Sequence, residues 1–203
     1  MDQRVRGDDE PLAADEDQRY RAGAYSLLGA LLRSEPDAAL LERVSGLAGV
    51  PAEDELGAAM STLGLAAQSV DAESIRHEYF DLFIGIGRGE LVPYGSWYMT
   101  GFLMERPLSE LRTDLARLGY ARDEGVKEPE DHAGALCEVM SIMVQETDSE
   151  ERQREFFSRH LGPWMERFFA DLARAKAASF YRAVARFGAA FVAFEKEFLG
   201  RSS

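Results

Sequence analysis

Glu128-Pro129-Glu130-Asp131-His132 packs three carboxylates and an imidazole into five consecutive residues, and His160-Leu161-Gly162-Pro163-Trp164 brings a second histidine further on. An imidazole that titrates near neutrality beside carboxylates can relay a proton, hold a metal or recognise a cation. The bland alternative for each histidine is a partly buried ring that ties one helix end to its neighbour. Locally, the first cluster reads as a helix start. Pro129 suits the first helical position, because it has no N–H to leave unsatisfied. Glu130 and Asp131 put negative charge at the positive end of the helix dipole. A helix over 129–146 then keeps His132, Leu136, Val139, Met140 and Met143 on one face, with His132 at the top of an apolar stripe. Pro163 opens another helix in the same way, and Trp164 is expected to anchor it by packing.

Other reactive types carry less. His77-Glu78 begins like a zinc-binding H-E-x-x-H helix, but Asp81 stands where the second histidine belongs, so no metal site is expected. Gly85-Ile86-Gly87-Arg88-Gly89 could bend around a phosphate, yet it lacks the terminal Lys-Ser/Thr and reads as a helix exit. Ser96 has no glycine elbow around it. Cys137 is the one cysteine, which excludes an intrachain disulfide and suits a small buried hydrophobe. No catalytic residue, metal or cofactor is assigned.

The elements that must position these residues are helical. Tyr20, Leu27, Leu28, Leu31 and Leu32 form a first stripe, and Leu40, Leu41, Val44 and Leu47 a second. Leu56, Met60 and Leu63 make a third, and Ile75, Tyr79, Leu82 and Phe83 a fourth, with Asp71 as N-cap. Helices over 97–105 and 108–118 are expected to meet at Pro107, which cannot continue a regular ladder. Further helices follow over 149–160, 163–177 and 179–198. The last carries Phe180, Tyr181, Val184, Phe187, Phe191, Phe194 and Phe198 as a core stripe. Residues 1–17 are polar and acid-rich without periodicity, so they are expected to be disordered. The charged, glycine-bearing segment 119–127 is the expected hinge between a larger part, 18–118, and a smaller one, 128–203.

Charge narrows the partners. A net charge of −13 over 203 residues would repel nucleic-acid phosphates and leaves a basic peptide as a favourable ligand. No apolar run is long enough to span a bilayer. Arg4 and Arg6 have no apolar stretch behind them, so no export signal is expected and the chain is placed in the cytoplasm. Tyr94, Trp97 and Tyr98, crowded round a proline–glycine loop, are the best candidates for a peptide-facing apolar patch.

The ordered set Tyr79-Phe80-Asp81-Leu82-Phe83, Gly85-Ile86-Gly87, Pro93-Tyr94-Gly95-Ser96-Trp97-Tyr98, Glu128-Pro129-x-Asp131-His132 and His160-Leu161-x-Pro163-Trp164 resembles the TorD/DmsD family of cytoplasmic chaperones that mature molybdenum redox enzymes. One departure is Ile86, where the family's glycine turn often has proline. The resemblance implies an all-α, TorD-like helical bundle and a non-enzymatic chaperone. Its partner would be a molybdopterin oxidoreductase catalytic subunit, held through its twin-arginine signal peptide until the cofactor is inserted. It places the peptide site at Tyr79, Leu82, Phe83, Tyr94, Ser96, Trp97, Glu128, Asp131 and His132. The alternatives are a nitrate-reductase-type assembly chaperone for a membrane-bound molybdoenzyme and a metal- or nucleotide-dependent helical enzyme. Arg88-Gly89-Glu90 faintly resembles members that serve formate dehydrogenases, without naming a client. A hinged chain of this kind is expected as a monomer or a hinge-swapped dimer.

Overall fold

The structure, a computed structural model, describes residues 10–122, 125–146 and 149–201, and every regular element among them is helical. In chain order these are α1 (Glu10–Arg33), α2 (Ala38–Ser45), α3 (Glu55–Gln68), α4 (Ala72–Tyr79), α5 (Gly95–Thr100), α6 (Arg106–Leu118), α7 (Ala133–Gln145), α8 (Glu150–His160), α9 (Met165–Arg174) and α10 (Phe180–Arg201). The all-α expectation holds. Local caps open several helices: the Asp37, Asp54, Asp71 and Ser149 side chains accept from N–H groups of the first turns of α2, α3, α4 and α8.

Several boundaries differ from the sequence expectation. α6 starts at Arg106, so Pro107 sits inside its first turn and does not mark a junction, and α9 spans Met165–Arg174, with Trp164 and not Pro163 before its first turn. α1 begins at Glu10, inside the segment expected to be disordered; residues 1–9 of that segment lie outside the described residues. Propagating an existing helix takes little, so α1 extends toward its N-terminus past its apolar stripe. α5 stops at Thr100 because Gly101 turns left-handed, with φ +83°, and the helix expected over 97–105 is therefore cut short. α7 starts at Ala133, four residues after Pro129, because His132 is extended and is itself the N-cap. Its Nδ1 accepts the Gly134 N–H at 3.1 Å.

One contiguous apolar core runs through the bundle and crosses the expected boundary at 119–127, because α7 from the later part packs along α1 from the earlier part. Their crossing is close: a Cβ on Gly134 would stand 3.0 Å from the Arg33 nitrogen and 3.1 Å from the Gly29 oxygen. α10 lies against α9 and α3 with Phe180, Tyr181, Phe187 and Phe191 fully buried, as the aromatic stripe predicts. Carboxylates from distant segments cap what local residues do not. Glu78 accepts the N–H groups of Ser179, Phe180 and Tyr181 at 2.7–3.1 Å, at the start of α10. Glu90 accepts those of Lys176 and Ala177 at 2.7 and 3.0 Å. These bonds fix the ends of α4 and of the glycine loop against the α9–α10 turn, and so position the site.

Candidate functional site

The C-terminal end of α1 is the floor of the site. Its last carbonyls have no partner within the helix. The Tyr181 hydroxyl donates to Leu31 O at 2.7 Å, and the Tyr79 hydroxyl donates to Leu32 O at 3.2 Å. Burial, with Glu128 and Glu35 nearby, pushes Tyr79 up to about 12, which keeps that hydroxyl a donor. After Tyr79 the chain makes one wider, π-helical turn over Phe80–Ile84, closed by Gly85 N–H to Phe80 O at 2.7 Å. The turn leaves Leu82 in the core but points Phe80 and Ile84 outward, 42% and 54% exposed. Gly89 then lets the loop fold back onto the turn, since a Cβ there would come within 2.6 Å of Leu82 O.

The opposite wall joins two segments far apart in sequence. Gly95 N–H donates to Asp131 O at 2.9 Å and Ala133 N–H to Pro93 O at 2.8 Å, which pairs Tyr94 with His132 in one antiparallel bridge. Their rings meet edge to face, with centroids 5.2 Å apart. Asp131 Oδ2 accepts the Ser96 N–H at 2.8 Å and so caps α5, whose own N-cap residue offers no side-chain bond. Between the two walls lies an open groove of about 340 Å³, lined by Arg33, Ser34, Glu35, Tyr79, Phe80, Phe83, Ile84, Pro93, Tyr94, Glu128 and His132.

Five of the residues named from the sequence therefore meet in the groove: Tyr79, Phe83, Tyr94, Glu128 and His132. The other four do not line it. Leu82, Ser96 and Asp131 are buried and absent from the lining, so they support the walls, whereas His132, nearly as buried at 5% exposure, is part of the lining. Trp97 lies outside the groove, half-buried, with the Arg88 guanidinium 5.2 Å from its ring centroid. Tyr98, expected as part of an exposed patch, instead stacks on the buried Trp164 at 5.4 Å. Sequence reasoning missed Arg33, Glu35, Phe80 and Ile84. For Phe80 and Ile84 a signal existed: Phe80-Asp81-Leu82-Phe83-Ile84 carries more apolar residues than one helical stripe can bury.

The electrostatics suit recognition better than catalysis. Burial first, and the Arg33 guanidinium second, hold His132 down to about 4, so its ring is neutral at physiological pH. Because Nδ1 accepts from Gly134, the neutral ring carries its proton on Nε2, which has no partner among the described residues. Arg33 is occupied by Glu138 at 2.6 Å. The Glu128 carboxylate pairs with no side chain among the described residues, while its backbone carbonyl accepts from Arg122 Nη1 at 3.3 Å. Partial burial, offset by Arg33 and reinforced by Asp131, raises its pKa. His160 has a different use: its Nε2 lies 2.8 Å from Asp114 Oδ2, and Trp164 Nε1–H donates to His160 O at 2.7 Å, tying α6, α8 and the α8–α9 turn together. Cys137 is buried, and burial pushes its thiol up, away from reactivity.

Residues 51–170, more than half of the chain, match the family model for the nitrate reductase delta subunit. The chain belongs to the nitrate reductase delta subunit family. Relatives of this family member are chaperones named TorD. The protein from Vibrio parahaemolyticus is 27% identical over 172 residues, covering 76% of this chain and 80% of its own. That from Vibrio cholerae is 27% identical over 133 residues, 60% of each chain. That from Aliivibrio fischeri is 24% identical over 202 residues, 88% of this chain and 94% of its own. A solved structure, a candidate redox enzyme maturation protein from Archaeoglobus fulgidus, superposes with a TM-score of 0.54 at 18% identity, covering 95% of this chain and 99% of that one. At that identity the likeness shows the fold alone. The resemblance to the TorD chaperones is borne out by these matches. Among the described residues no helix is long and apolar enough to cross a membrane.

In this TorD-family protein His132 also makes stability depend on pH. A histidine held below its unfolded value of about 6.5 binds its proton more readily in the unfolded chain, so its contribution is complete above that value and drains as pH falls toward 4. Between pH 7.5 and 5 the loss is about 2 kcal/mol. His160 is lowered too, first by burial, so it adds a parallel loss. His132→Asn keeps an N-cap acceptor but cannot titrate. Urea unfolding at the two pH values should show a clearly smaller drop in this variant than in the parent protein. An equal drop in both proteins would mean that His132 is not held neutral by burial.

Proposed function

We propose that this TorD-family chaperone works in the cytoplasm, where it binds the twin-arginine signal peptide and the apo-form of a molybdopterin oxidoreductase catalytic subunit and holds it for cofactor insertion before export. The observation that carries this reading is the open groove in which aromatic side chains stand beside an unpaired carboxylate, Glu128, and an unpartnered imidazole N–H on His132. Phe80, Phe83, Ile84 and Tyr94 offer apolar contact to a peptide. Glu128 offers a charge-assisted bond to a guanidinium, and His132 Nε2–H offers a donor to a peptide carbonyl. The chaperone makes and breaks no bond, so none of these residues is catalytic. A second reading, an assembly chaperone for a membrane-bound nitrate-reductase-type enzyme, is favoured by the description of the family; the relatives named TorD favour the first.

The test uses a synthetic peptide with an Arg-Arg pair followed by a leucine-rich stretch, titrated into the whole protein by calorimetry. Phe83→Ala and Tyr94→Ala should each weaken binding about tenfold, as loss of an aromatic anchor does. Far-ultraviolet circular dichroism and melting temperature should stay near the parent values. Trp97→Ala, outside the groove, should bind as the parent does. If affinity falls only in variants that also lose their fold, the groove is structural and the assignment is wrong.

A further inference from the structure

A second groove lies beyond the wall made by Arg33 and Glu128. We infer that it seats an apolar side chain of the same peptide, next to an arginine of that peptide that pairs with Glu128. The inference rests on the peptide-binding reading and adds a second binding surface to it. This cavity measures about 250 Å³ and lies between α6, α7 and the residues Tyr120, Arg122 and Val126. Leu115, Val126, Val139 and Ile142 give it apolar walls. Ile142 is 40% exposed on α7 although most of that helix is buried.

The partners of the rim charges decide what the groove can take. Glu130 is held by Arg112 at 2.9 Å and Arg122 at 3.7 Å, and Glu138 is held by Arg33 at 2.6 Å. Glu128 lines both grooves; Arg122 Nη1 donates to its backbone carbonyl at 3.3 Å, but its carboxylate pairs with no side chain among the described residues. It is therefore the rim carboxylate open to a new cation. The lifting of its pKa by partial burial adds to the gain from pairing it. A guanidinium on Glu128 puts the residues two before and two after it over the two grooves, since alternate side chains of an extended chain share one face. One of them enters the aromatic groove, and the other reaches Val139 and Ile142. The complement of an unpaired carboxylate flanked by two apolar hollows is a peptide in which a basic residue adjoins apolar ones.

Fluorescence anisotropy with the labelled Arg-Arg, leucine-rich peptide and the whole protein tests this. Ile142→Asp changes a side chain already in contact with solvent and should leave the melting temperature near the parent value. It should weaken the peptide at least about tenfold, the value of burying one leucine-sized side chain. A peptide with serines in place of the leucines should bind weakly and equally to both proteins. Ile142→Ala should act in the same direction with a smaller effect. Glu128→Gln should weaken the parent peptide several-fold and lose that effect when the arginines are replaced by citrulline. If the parent protein fails to bind the peptide at all, the peptide-binding reading falls and takes this inference with it. If Phe83→Ala loses the peptide while Ile142→Asp and Glu128→Gln bind it like the parent, only the second groove is overturned.

Discussion

Replacing Arg21 by methionine should lower the unfolding free energy by about 3–5 kcal/mol, the usual result of stripping one partner from a buried ion pair. Arg21 and Glu195 are both fully buried, joining α1 to α10. Arg21 Nε donates to Glu195 Oε1 at 2.6 Å and Nη2 donates to Oε2 at 3.0 Å. Nη2 also donates to Gln153 Oε1 at 2.8 Å, and the Tyr25 hydroxyl donates to Glu195 Oε2 at 2.9 Å. Without Arg21 the carboxylate keeps only the tyrosine in an apolar interior, and it must be protonated or exposed. For a chain of this size the loss corresponds to a melting temperature lower by roughly 6–20 °C. The reciprocal experiment separates the pair from its packing. Arg21→Met with Glu195→Leu removes both charges, and it should recover most of the loss, because Arg21 Nη1 has no hydrogen-bond partner among the described residues and the pair carries a desolvation cost. Urea unfolding of the parent, both single variants and the double variant measures the coupling. A single variant that loses less than about 1 kcal/mol would show that water reaches Glu195 once Arg21 is gone.

The same pair marks where sequence reading stops. The stripes in α1, α4 and α10 are written in residues three and four apart, so the helices and most of the core could be read directly. Arg21 follows Tyr20 in that pattern, and no local rule distinguishes a buried arginine from a solvated one. Its partner is 174 residues away. The carboxylates of Glu78, Glu90 and Asp131 cap their targets over 35 to 103 residues, and each looks like an ordinary surface acid in sequence. The site divides on the same ground. Tyr94, Glu128 and His132 were legible because their motifs are short, and the bridge between Pro93–Gly95 and Asp131–Ala133 brings those motifs together. Asp131 and Ser96 belong to the same motifs but spend their polar groups on that bridge and on the cap of α5. Motif membership does not tell the contacting residue from its support. Phe80 and Ile84 enter the groove through a widened turn that a regular 3.6-residue period does not anticipate.

These linings also predict which part of a twin-arginine peptide supplies its affinity. Replacing the leucines of the Arg-Arg, leucine-rich peptide by serine should cost at least about a hundredfold in affinity, while replacing both arginines by lysine should cost about tenfold or less. Burying one leucine-sized side chain contributes about 1.5–3 kcal/mol before ordering, and two grooves can each take one or more. An exposed arginine–carboxylate pair contributes about 0.2–1 kcal/mol and is screened by salt. Ordering a flexible peptide costs about 2–5 kcal/mol, which two such pairs cannot offset. The groove makes this asymmetry concrete, because its walls are mostly Phe80, Phe83, Ile84, Pro93 and Tyr94, whereas its acids are Glu35 and Glu128, with Glu35 already near Arg76 at 3.4 Å. The arginines then act chiefly on orientation and on the rate of encounter with a chain of net charge −13. Calorimetry with the three peptides, repeated at half-molar salt, reads the division, and salt should weaken the parent peptide only modestly. A steep salt dependence, or a lysine peptide that fails to bind, would show that recognition is by charge and that the apolar walls serve the fold alone.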